Sequence, residues 1–282
     1  MNEELEQYRR WIGRRETEDD VITPWPVRAM TATLDRNDPL PAPGEPIPLG
    51  WHWFYFLEAA PASVLAADGH PRRGGFMPPV QLPRRMWAGG RIEFRRALRM
   101  GEAARRESEI VAVTPKSGRS GDMVFVTVRH TILGSGEITA VEETDIVYRD
   151  AARSGAASAP RPAPAQAAWC RTLAPDAALL FRYSALIFNA HRIHYDHRYV
   201  THEEGYPGLI VHGPLQATLL LDLCRRHSPR PLAQFDYRAS GPLFDTEDFS
   251  VNGNPAADGA SAELWTASAS GSLAMSATAR FA

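Results

Sequence analysis

A stretch without large apolar side chains divides this chain into two parts of similar size. Residues 151–167 contain only alanine, proline, serine, glycine, arginine and glutamine, so they cannot anchor in a hydrophobic core and are typical of a linker. The flanking parts, 1–150 and 168–282, each have the length of an ordinary domain. The sequence therefore predicts two folded parts joined by a linker.

The first part begins with helical patterns and ends with strand patterns. Apolar spacing predicts helices over 2–12 and 23–34, and the aromatic run 51–56 predicts a strand buried on both faces. Alternating and β-branched residues predict an antiparallel meander from the further strands 90–95, 103–114, 123–133 and 136–148.

The second part repeats this order. Residues 213–227 form the clearest helix pattern, with Pro214 in the first turn and basic residues in the last. A strand is predicted before it, over 179–184, and further strands follow at 231–241, 248–252, 262–268 and 271–281. Helices followed by a meander, twice over, predict a pseudo-duplicated α+β protein.

Histidine is concentrated just before the 213–227 helix. Five of the nine histidines fall in residues 191–212, namely His191, His194, His197, His202 and His212. Histidine has an unperturbed pKa of about 6.5 and can transfer protons near neutral pH. The helix start supplies a backbone N–H that can stabilise a developing oxyanion. Pro214 has no N–H, so the candidate donors are Gly213 and Leu215.

Simpler explanations exist for these residues. A histidine such as His194 is also found as a hydrogen-bonded structural residue, and a glycine before a helix as a plain turn residue. His191, His194 and His197 could share a helical face as metal ligands, but no Glu-x-x-His or His-Glu-x-x-His pattern accompanies them. We therefore expect no metal.

Four stretches of the chain resemble MaoC-like hydratases and dehydratases: 82–90, 116–121, 188–196 (FNAHRIHYD) and 211–215 (VHGPL). The resemblance is to the branch that contains mitochondrial-type 3-hydroxyacyl thioester dehydratases and mesaconyl- or itaconyl-CoA hydratases. It implies an α+β double hot-dog fold, in which each half wraps a curved antiparallel sheet around a long helix. It also implies that residues 1–150 carry no catalytic motif and help to form the acyl pocket, whereas 168–282 carry the motif.

The resemblance implies a specific set of catalytic residues. The wider family motif is Asp-x-Asn-Pro-x-His, and aligning its histidine with His194 places Asn189 at the acidic position. An amide cannot act as a general base. We therefore expect His194 to transfer protons, Asn189 to orient the water or the imidazole, and the Gly213 N–H to bind the thioester oxygen. His191 is expected to shape the substrate site.

Arginines are the candidate partners for anionic groups of the substrate. Arg84, Arg85, Arg192 and Arg198 are candidates for the coenzyme A phosphates or for a substrate carboxylate. A solvated or salt-bridged arginine is the alternative for each of them. We expect at least one of the four in the pocket that holds His194.

The function expected from the resemblance is reversible hydration of a 2-enoyl-CoA, with a short dicarboxylic acyl-CoA as one option and without a further cofactor. An acyl-CoA thioesterase and a catalytically degenerate protein that binds acyl thioesters are the alternatives. The net charge of −2 gives no indication of nucleic-acid binding. No apolar run is long enough for a membrane span, and a homodimer is compatible with the sequence. The polar N-terminus and two cysteines without partner spacing predict a cytoplasmic protein.

Overall fold

The structure is a computed structural model that describes residues 3–118, 121–150 and 160–282. Its α-helices are α1 (Glu3–Glu6), α2 (Pro24–Thr33), α3 (Ala177–Leu186), α4 (His197–His202) and α5 (Gly213–His227). Its strands are β1 (Arg15–Val21), β2 (Arg84–Phe94), β3 (Ala103–Gly118), β4 (Gly121–Gly134), β5 (Glu137–Arg149), β6 (Trp169–Leu173), β7 (Leu232–Ala239), β8 (Phe249–Pro255), β9 (Ser261–Ser268) and β10 (Leu273–Phe281). Short 3₁₀ helices cover Gln7–Trp11, Trp51–Phe54, Ala62–Val64 and Arg192–His194.

The described strands form a single antiparallel sheet with an internal symmetry. Their order is β1-β3-β4-β5-β2-β7-β10-β9-β8-β6. From either edge inward, the first half runs β1-β3-β4-β5-β2 and the second runs β6-β8-β9-β10-β7. The halves join where β2 pairs with β7, with Gly90 opposite Tyr237. The repeated order of elements that the sequence predicted is confirmed at the level of topology.

Helix α5 is the centre of the second half. Every residue from Leu215 to Cys224 is buried, and the helix packs against β6, β8, β9 and β10. A helix that is buried on all sides belongs in the interior of a fold. The predicted bounds 213–227 are confirmed. Neither α5 nor any other helix in the described ranges is long and apolar enough to cross a membrane.

Among its described residues, the first half has no helix equivalent to α5. In the symmetric order, α2 corresponds to α3, and the position of α5 is occupied by the 3₁₀ helix Trp51–Phe54. Aromatic side chains from this segment, including Trp51 and Phe54, fill the core instead. The expectation of one long helix in each half is therefore wrong for the first half.

Two predicted strands are wrong. The aromatic run 51–56 is buried as predicted, but it starts after Gly50 and ends at Phe56, both of which have positive φ angles, so the backbone is not extended. Residues 179–184 lie in helix α3, whose N-cap Asp176 accepts a hydrogen bond from the Leu179 N–H (2.8 Å). Short apolar runs do not distinguish a buried strand from a buried helix, and the Asp176 cap was the missed signal.

The two edge strands were not predicted. β1 has the sequence RETEDDV, and its polar composition hides its strand character. β6 has five residues and lies at the other edge of the sheet. Both are short and half exposed, so neither shows the apolar alternation that identified the interior strands. The helix predicted over 2–12 is α1 followed by a 3₁₀ turn.

Part of the predicted linker lies outside the described residues, namely 151–159. Its remainder, 160–167, is hydrogen-bonded to the turn between β9 and β10. The Ala163 N–H donates to the Gly271 carbonyl (2.9 Å), and the Leu273 N–H donates to the Arg161 carbonyl (2.8 Å). This part of the segment therefore lies along the second half.

Candidate active site

His194 is held in one orientation and one tautomer. It ends the 3₁₀ helix Arg192–His194 and is 7% exposed. Its Nδ1 lies 2.7 Å from the Ile210 carbonyl oxygen, which can only accept a hydrogen bond. Nδ1 must therefore carry the proton in the neutral ring, which leaves the lone pair on Nε2. His194 is thus built to accept a proton at Nε2.

His194 is neutral at physiological pH. Burial, reinforced by the nearby His191, lowers the pKa of His194 to about 3. The ring of His212 stacks on it, with centroids 3.6 Å apart and an angle of 18° between the planes. His212 is hydrogen-bonded through Nε2 to the Ser184 hydroxyl (2.8 Å), and burial lowers its pKa well below 6.5. Because both rings are neutral, His194 offers a proton acceptor rather than a positive charge.

Gly213 carries a backbone N–H one residue after His212, whose ring stacks on His194. It is the first residue of α5, directly after His212, and the first N–H groups of a helix have no partner within the helix. An added Cβ at Gly213 would lie 2.9 Å from Cε3 of Trp87, whose ring stacks on Tyr237 at 4.4 Å. Only glycine fits here without moving Trp87. The side chain of Leu215 points into the core and is fully buried, so only its N–H remains a candidate.

Asn189 supports the backbone of the segment 188–196. Its Oδ1 accepts a hydrogen bond from the His191 N–H (2.9 Å), and its own N–H donates to the Ser184 carbonyl (2.8 Å). The His191 ring meets the His194 ring edge-on at 5.4 Å. Burial lowers the pKa of His191 to about 3. Asn189 therefore fixes the turn that presents His191.

A turn of the first half docks on this segment. The turn is closed by a hydrogen bond from the Ala66 N–H to the His70 carbonyl (2.7 Å), and the Arg192 N–H donates to the Asp68 carbonyl (2.9 Å). Gly69 has a φ of 91°, and a Cβ there would lie 1.8 Å from the Ala190 carbonyl oxygen. The two backbones can approach this closely only because residue 69 is glycine.

Docking brings two unpredicted side chains, Asp68 and His70, to the histidines. The His70 ring lies 4.0 Å from the His191 ring, centroid to centroid. The Nδ1 of His70 is 3.1 Å from a carboxylate oxygen of Asp68. The first half, which was expected only to help form the acyl pocket, supplies polar groups to this cluster. A histidine in an Asp-Gly turn was the only signal in the sequence.

Of the four predicted arginines, Arg85 is the one whose charge acts on the histidines, since it lowers the pKa of both His70 and His191. Arg192 is paired with Asp196 (2.7 Å) and donates to the Ala67 carbonyl (3.0 Å), so it holds the segment together. The Arg84 guanidinium lies over the Tyr206 ring at 5.4 Å. Arg198 lies exposed on α4.

A metal ion fits this cluster poorly. Within the described ranges, Asp68, His70 and His191 are the group whose potential ligand atoms lie within 4.8 Å of one another. However, Asp68 is already hydrogen-bonded to His70, and the positive charge of Arg85 opposes a cation. His197 lies exposed at the start of α4 and does not join His191 and His194. The cluster fits proton transfer better.

The arrangement combines a neutral base with an N–H donor at a helix terminus and a nearby guanidinium. A base at Nε2 of His194 can take a proton from water, and the Gly213 N–H can stabilise negative charge on a carbonyl oxygen. These are the groups needed to add water to a double bond conjugated with a thioester.

Known proteins support this chemistry. The sequence model of a family described as hydroxyacyl-thioester dehydratase type 2 matches residues 50–245. The chain is 49% identical over 273 residues to a mesaconyl-C(4)-CoA hydratase from Chloroflexus aurantiacus, covering 95% of both chains.

Solved structures support the fold. A MaoC-like dehydratase superposes with a TM-score of 0.67 at 16% identity, covering 99% of this chain and 100% of its own. A conserved hypothetical protein from Mycobacterium tuberculosis, described as a double hot-dog fold, superposes with a TM-score of 0.56 at 15% identity, covering 95% of this chain and 96% of its own. Together with the site geometry, these likenesses show that the chain belongs to the hydroxyacyl-thioester dehydratase type 2 family and is a double hot-dog hydro-lyase that interconverts enoyl and 3-hydroxyacyl thioesters.

Proposed function

We propose that this enzyme hydrates a short enoyl-CoA that carries a second carboxylate, such as mesaconyl-CoA. The observation that carries the proposal is Arg85 on β2, whose positive charge acts on His70 and His191, the histidines of the two halves that pack against each other. The 49% identical relative that is named a mesaconyl-C(4)-CoA hydratase supports the same substrate class.

In the proposed mechanism, His194 begins the reaction. Its Nε2 takes a proton from water while the water oxygen bonds to the β-carbon of the enoyl group. The electron pair of the double bond moves toward the thioester, whose oxygen becomes negatively charged. The Gly213 N–H, with the N-terminal dipole of α5, stabilises this enolate. The NH₂ group of Asn189 is the donor that we assign to the attacking water.

Arg85 is assigned to the distal carboxylate of the substrate. A carboxylate that leaves water needs a charged partner, and the planar guanidinium can bind both of its oxygens. Arg192 is paired with Asp196 and is therefore given a positioning role. Arg84 and Arg198 remain the candidates for the coenzyme A phosphates.

Kinetics with two substrates test the assignment of Arg85. Hydration of mesaconyl-CoA and of crotonyl-CoA is followed as loss of the ultraviolet absorbance of the conjugated thioester. The purified enzyme should prefer mesaconyl-CoA over crotonyl-CoA, and Arg85→Met should reduce this preference at least tenfold. The exposed Arg28 on α2 supplies a control, because Arg28→Met should leave the preference unchanged.

Two outcomes would contradict the proposal. If the parent enzyme shows no advantage for the diacid, or if Arg85→Met keeps the advantage, Arg85 does not bind a substrate carboxylate. Measuring free thiol in the same assay separates hydration from thioester hydrolysis, because only hydrolysis releases coenzyme A.

We propose that the acyl-CoA is the only partner this chemistry needs, and that the enzyme works in a reducing compartment such as the cytoplasm. The free cysteines Cys170 and Cys224 support the second statement.

A further inference from the structure

We propose that His70, held by Asp68, is the second proton-transfer group of the active site and is supplied by the half of the molecule that lacks the catalytic motif. This inference rests on the hydration chemistry proposed above. It assigns the proton on the α-carbon to His70 and the proton on the water to His194. Asp68 acts through His70 and is a positioning residue.

The reaction leaves a role to be filled. Hydration requires one proton to leave the water and one to reach the α-carbon. The family motif has a carboxylic residue at position 189, but this chain has Asn189, whose amide neither gives nor takes protons. Asn189 also uses its Oδ1 to hold the His191 N–H. The second proton-transfer group must therefore come from elsewhere in the fold.

The docked turn supplies it at a fixed position. The Asp68 carbonyl binds the Arg192 N–H, and Gly69 lies against the Ala190 carbonyl, so the turn is attached directly to the catalytic segment. The Nδ1–H of His70 donates to the Asp68 carboxylate at 3.1 Å, which leaves Nε2 free to exchange a proton with the substrate. The His70 side chain keeps 18% of its surface exposed.

His70 and His194 are connected through one ring. The His191 ring lies 4.0 Å from the His70 ring and 5.4 Å from the His194 ring. The three side chains therefore form a continuous row from the first half to the base at Nε2 of His194.

The charges around His70 act in opposite directions. Burial and the positive charges of Arg85 and Arg73 lower the pKa of His70 below its ordinary value, whereas Asp68 opposes this shift, and His191 packs against the His70 ring. A substrate carboxylate bound at Arg85 would offset the charge that opposes protonation. Substrate binding therefore favours the imidazolium form of His70, and a monocarboxylic enoyl-CoA lacks this effect.

The proposed steps balance. Water bonds to the β-carbon and gives one proton to His194 Nε2, while the thioester oxygen takes the negative charge. The Nε2–H of the His70 imidazolium then moves to the α-carbon, and the thioester carbonyl re-forms. One water molecule has been added across the double bond. The resting state returns when His194 gives its proton to solvent and His70 takes one from solvent.

Variants of this pair test the proposal with mesaconyl-CoA and crotonyl-CoA, using whichever the parent enzyme hydrates. His70→Gln should lower kcat by about a hundredfold or more, the usual range for a proton-transfer group, with KM changed less than threefold. Asp68→Asn should lower kcat by about tenfold. The exposed His202 on α4 provides the control, since His202→Gln should keep the parent kcat.

Two further readouts distinguish a catalytic from a structural role. Because His70 must be protonated for hydration, the rate should fall as pH rises through its pKa in the complex. Removing the Asp68 charge lowers this pKa, so Asp68→Asn should shift the descending limb to lower pH. In the reverse reaction, deuterium at the α-carbon of the 3-hydroxyacyl-CoA should give a larger isotope effect on kcat in His70→Gln than in the parent.

The proposal is overturned if folded His70→Gln keeps kcat within threefold of the parent. It is also overturned if Asp68→Asn leaves the pH profile unchanged, or if His70→Gln leaves the isotope effect unchanged. Loss of activity with a chelator and recovery with a divalent cation would overturn it in favour of a metal at Asp68, His70 and His191. Failure of the parent to hydrate either thioester would instead refute the proposed function.

Discussion

Replacing Gly69 by alanine tests the contact between the first-half turn and the catalytic segment. The new Cβ would lie 1.8 Å from the Ala190 carbonyl oxygen, and no side-chain rotation can relieve a clash with backbone. The turn must therefore move away, which breaks the hydrogen bond from the Arg192 N–H to the Asp68 carbonyl (2.9 Å) and displaces His70.

Gly44 offers a matched control for this experiment. It has a φ of 83°, close to the 91° of Gly69, but nothing lies within 4 Å of its added Cβ. Alanine at either position introduces about 1–2 kcal/mol of left-handed backbone strain. Only Gly69→Ala also loses the docking hydrogen bond, which is worth about 1 kcal/mol. Gly69→Ala should therefore destabilise by about 2–3 kcal/mol and Gly44→Ala by about 1–2 kcal/mol.

Urea unfolding and steady-state kinetics measure the two effects separately. Gly44→Ala should keep the parent kcat once the folded fraction is taken into account, whereas Gly69→Ala should lose at least tenfold because His70 has moved. Equal stability and equal kcat in the two variants would show that the docked turn does not matter to the site.

Three other outcomes are expected. Gly213→Ala should destabilise the protein by about 1–3 kcal/mol, because the new Cβ would lie 2.9 Å from Trp87, and it should lower kcat by displacing the oxyanion donor. If the effects of Gly213→Ala and Trp87→Leu on stability are additive in the double mutant, the contact between the two residues is contradicted. Acid should unfold the protein steeply, because the folded pKa values of about 4 for His130 and about 3 for His191 and His194 lie below the ordinary 6.5. Between these folded pKa values and 6.5, the three histidines take up protons only in the unfolded state. The free energy of unfolding should therefore have its full value above pH 6.5 and fall by up to about 4 kcal/mol per pH unit below it. Equal midpoints in urea titrations at pH 7 and pH 5 would refute this. Glu142→Gln should destabilise by at least about 2 kcal/mol in thermal unfolding, because the buried carboxylate bonds His52 (2.8 Å) and Trp53 (3.0 Å), and an unchanged melting temperature would count against this network.

The sequence predicts the repeated order of elements because strand alternation and the apolar face of α5 are local signals. The segment 51–56 shows the limit of such signals. Its aromatic residues predict burial, and they are buried. The sequence of this segment does not reveal its backbone conformation, because a 3₁₀ helix forms here where the second half has α5. That difference is a property of the whole first half. β1 was missed for the opposite reason, since its polar side chains suit an edge strand and carry no apolar pattern.

The candidate site likewise contains some residues that a local sequence signal identifies and others that only the fold brings together. His194 and Gly213 lie in one short part of the sequence, so their motif points to them directly. Asp68 and His70 reach the site only through a docking contact across more than a hundred residues of sequence, made close by Gly69. Among the four candidate arginines, the sequence favoured Arg192 and Arg198 because they lie nearest to the motif, whereas in the fold it is the charge of Arg85 that acts on His70 and His191.

The most direct test of the account is the hydration rate of His194→Ala. The parent enzyme and the variant are compared with mesaconyl-CoA and crotonyl-CoA by loss of ultraviolet absorbance, with circular dichroism to confirm that the variant is folded. If His194 is the base that activates water, kcat should fall by roughly two to four orders of magnitude. A folded His194→Ala enzyme with the kcat of the parent would contradict the central claim.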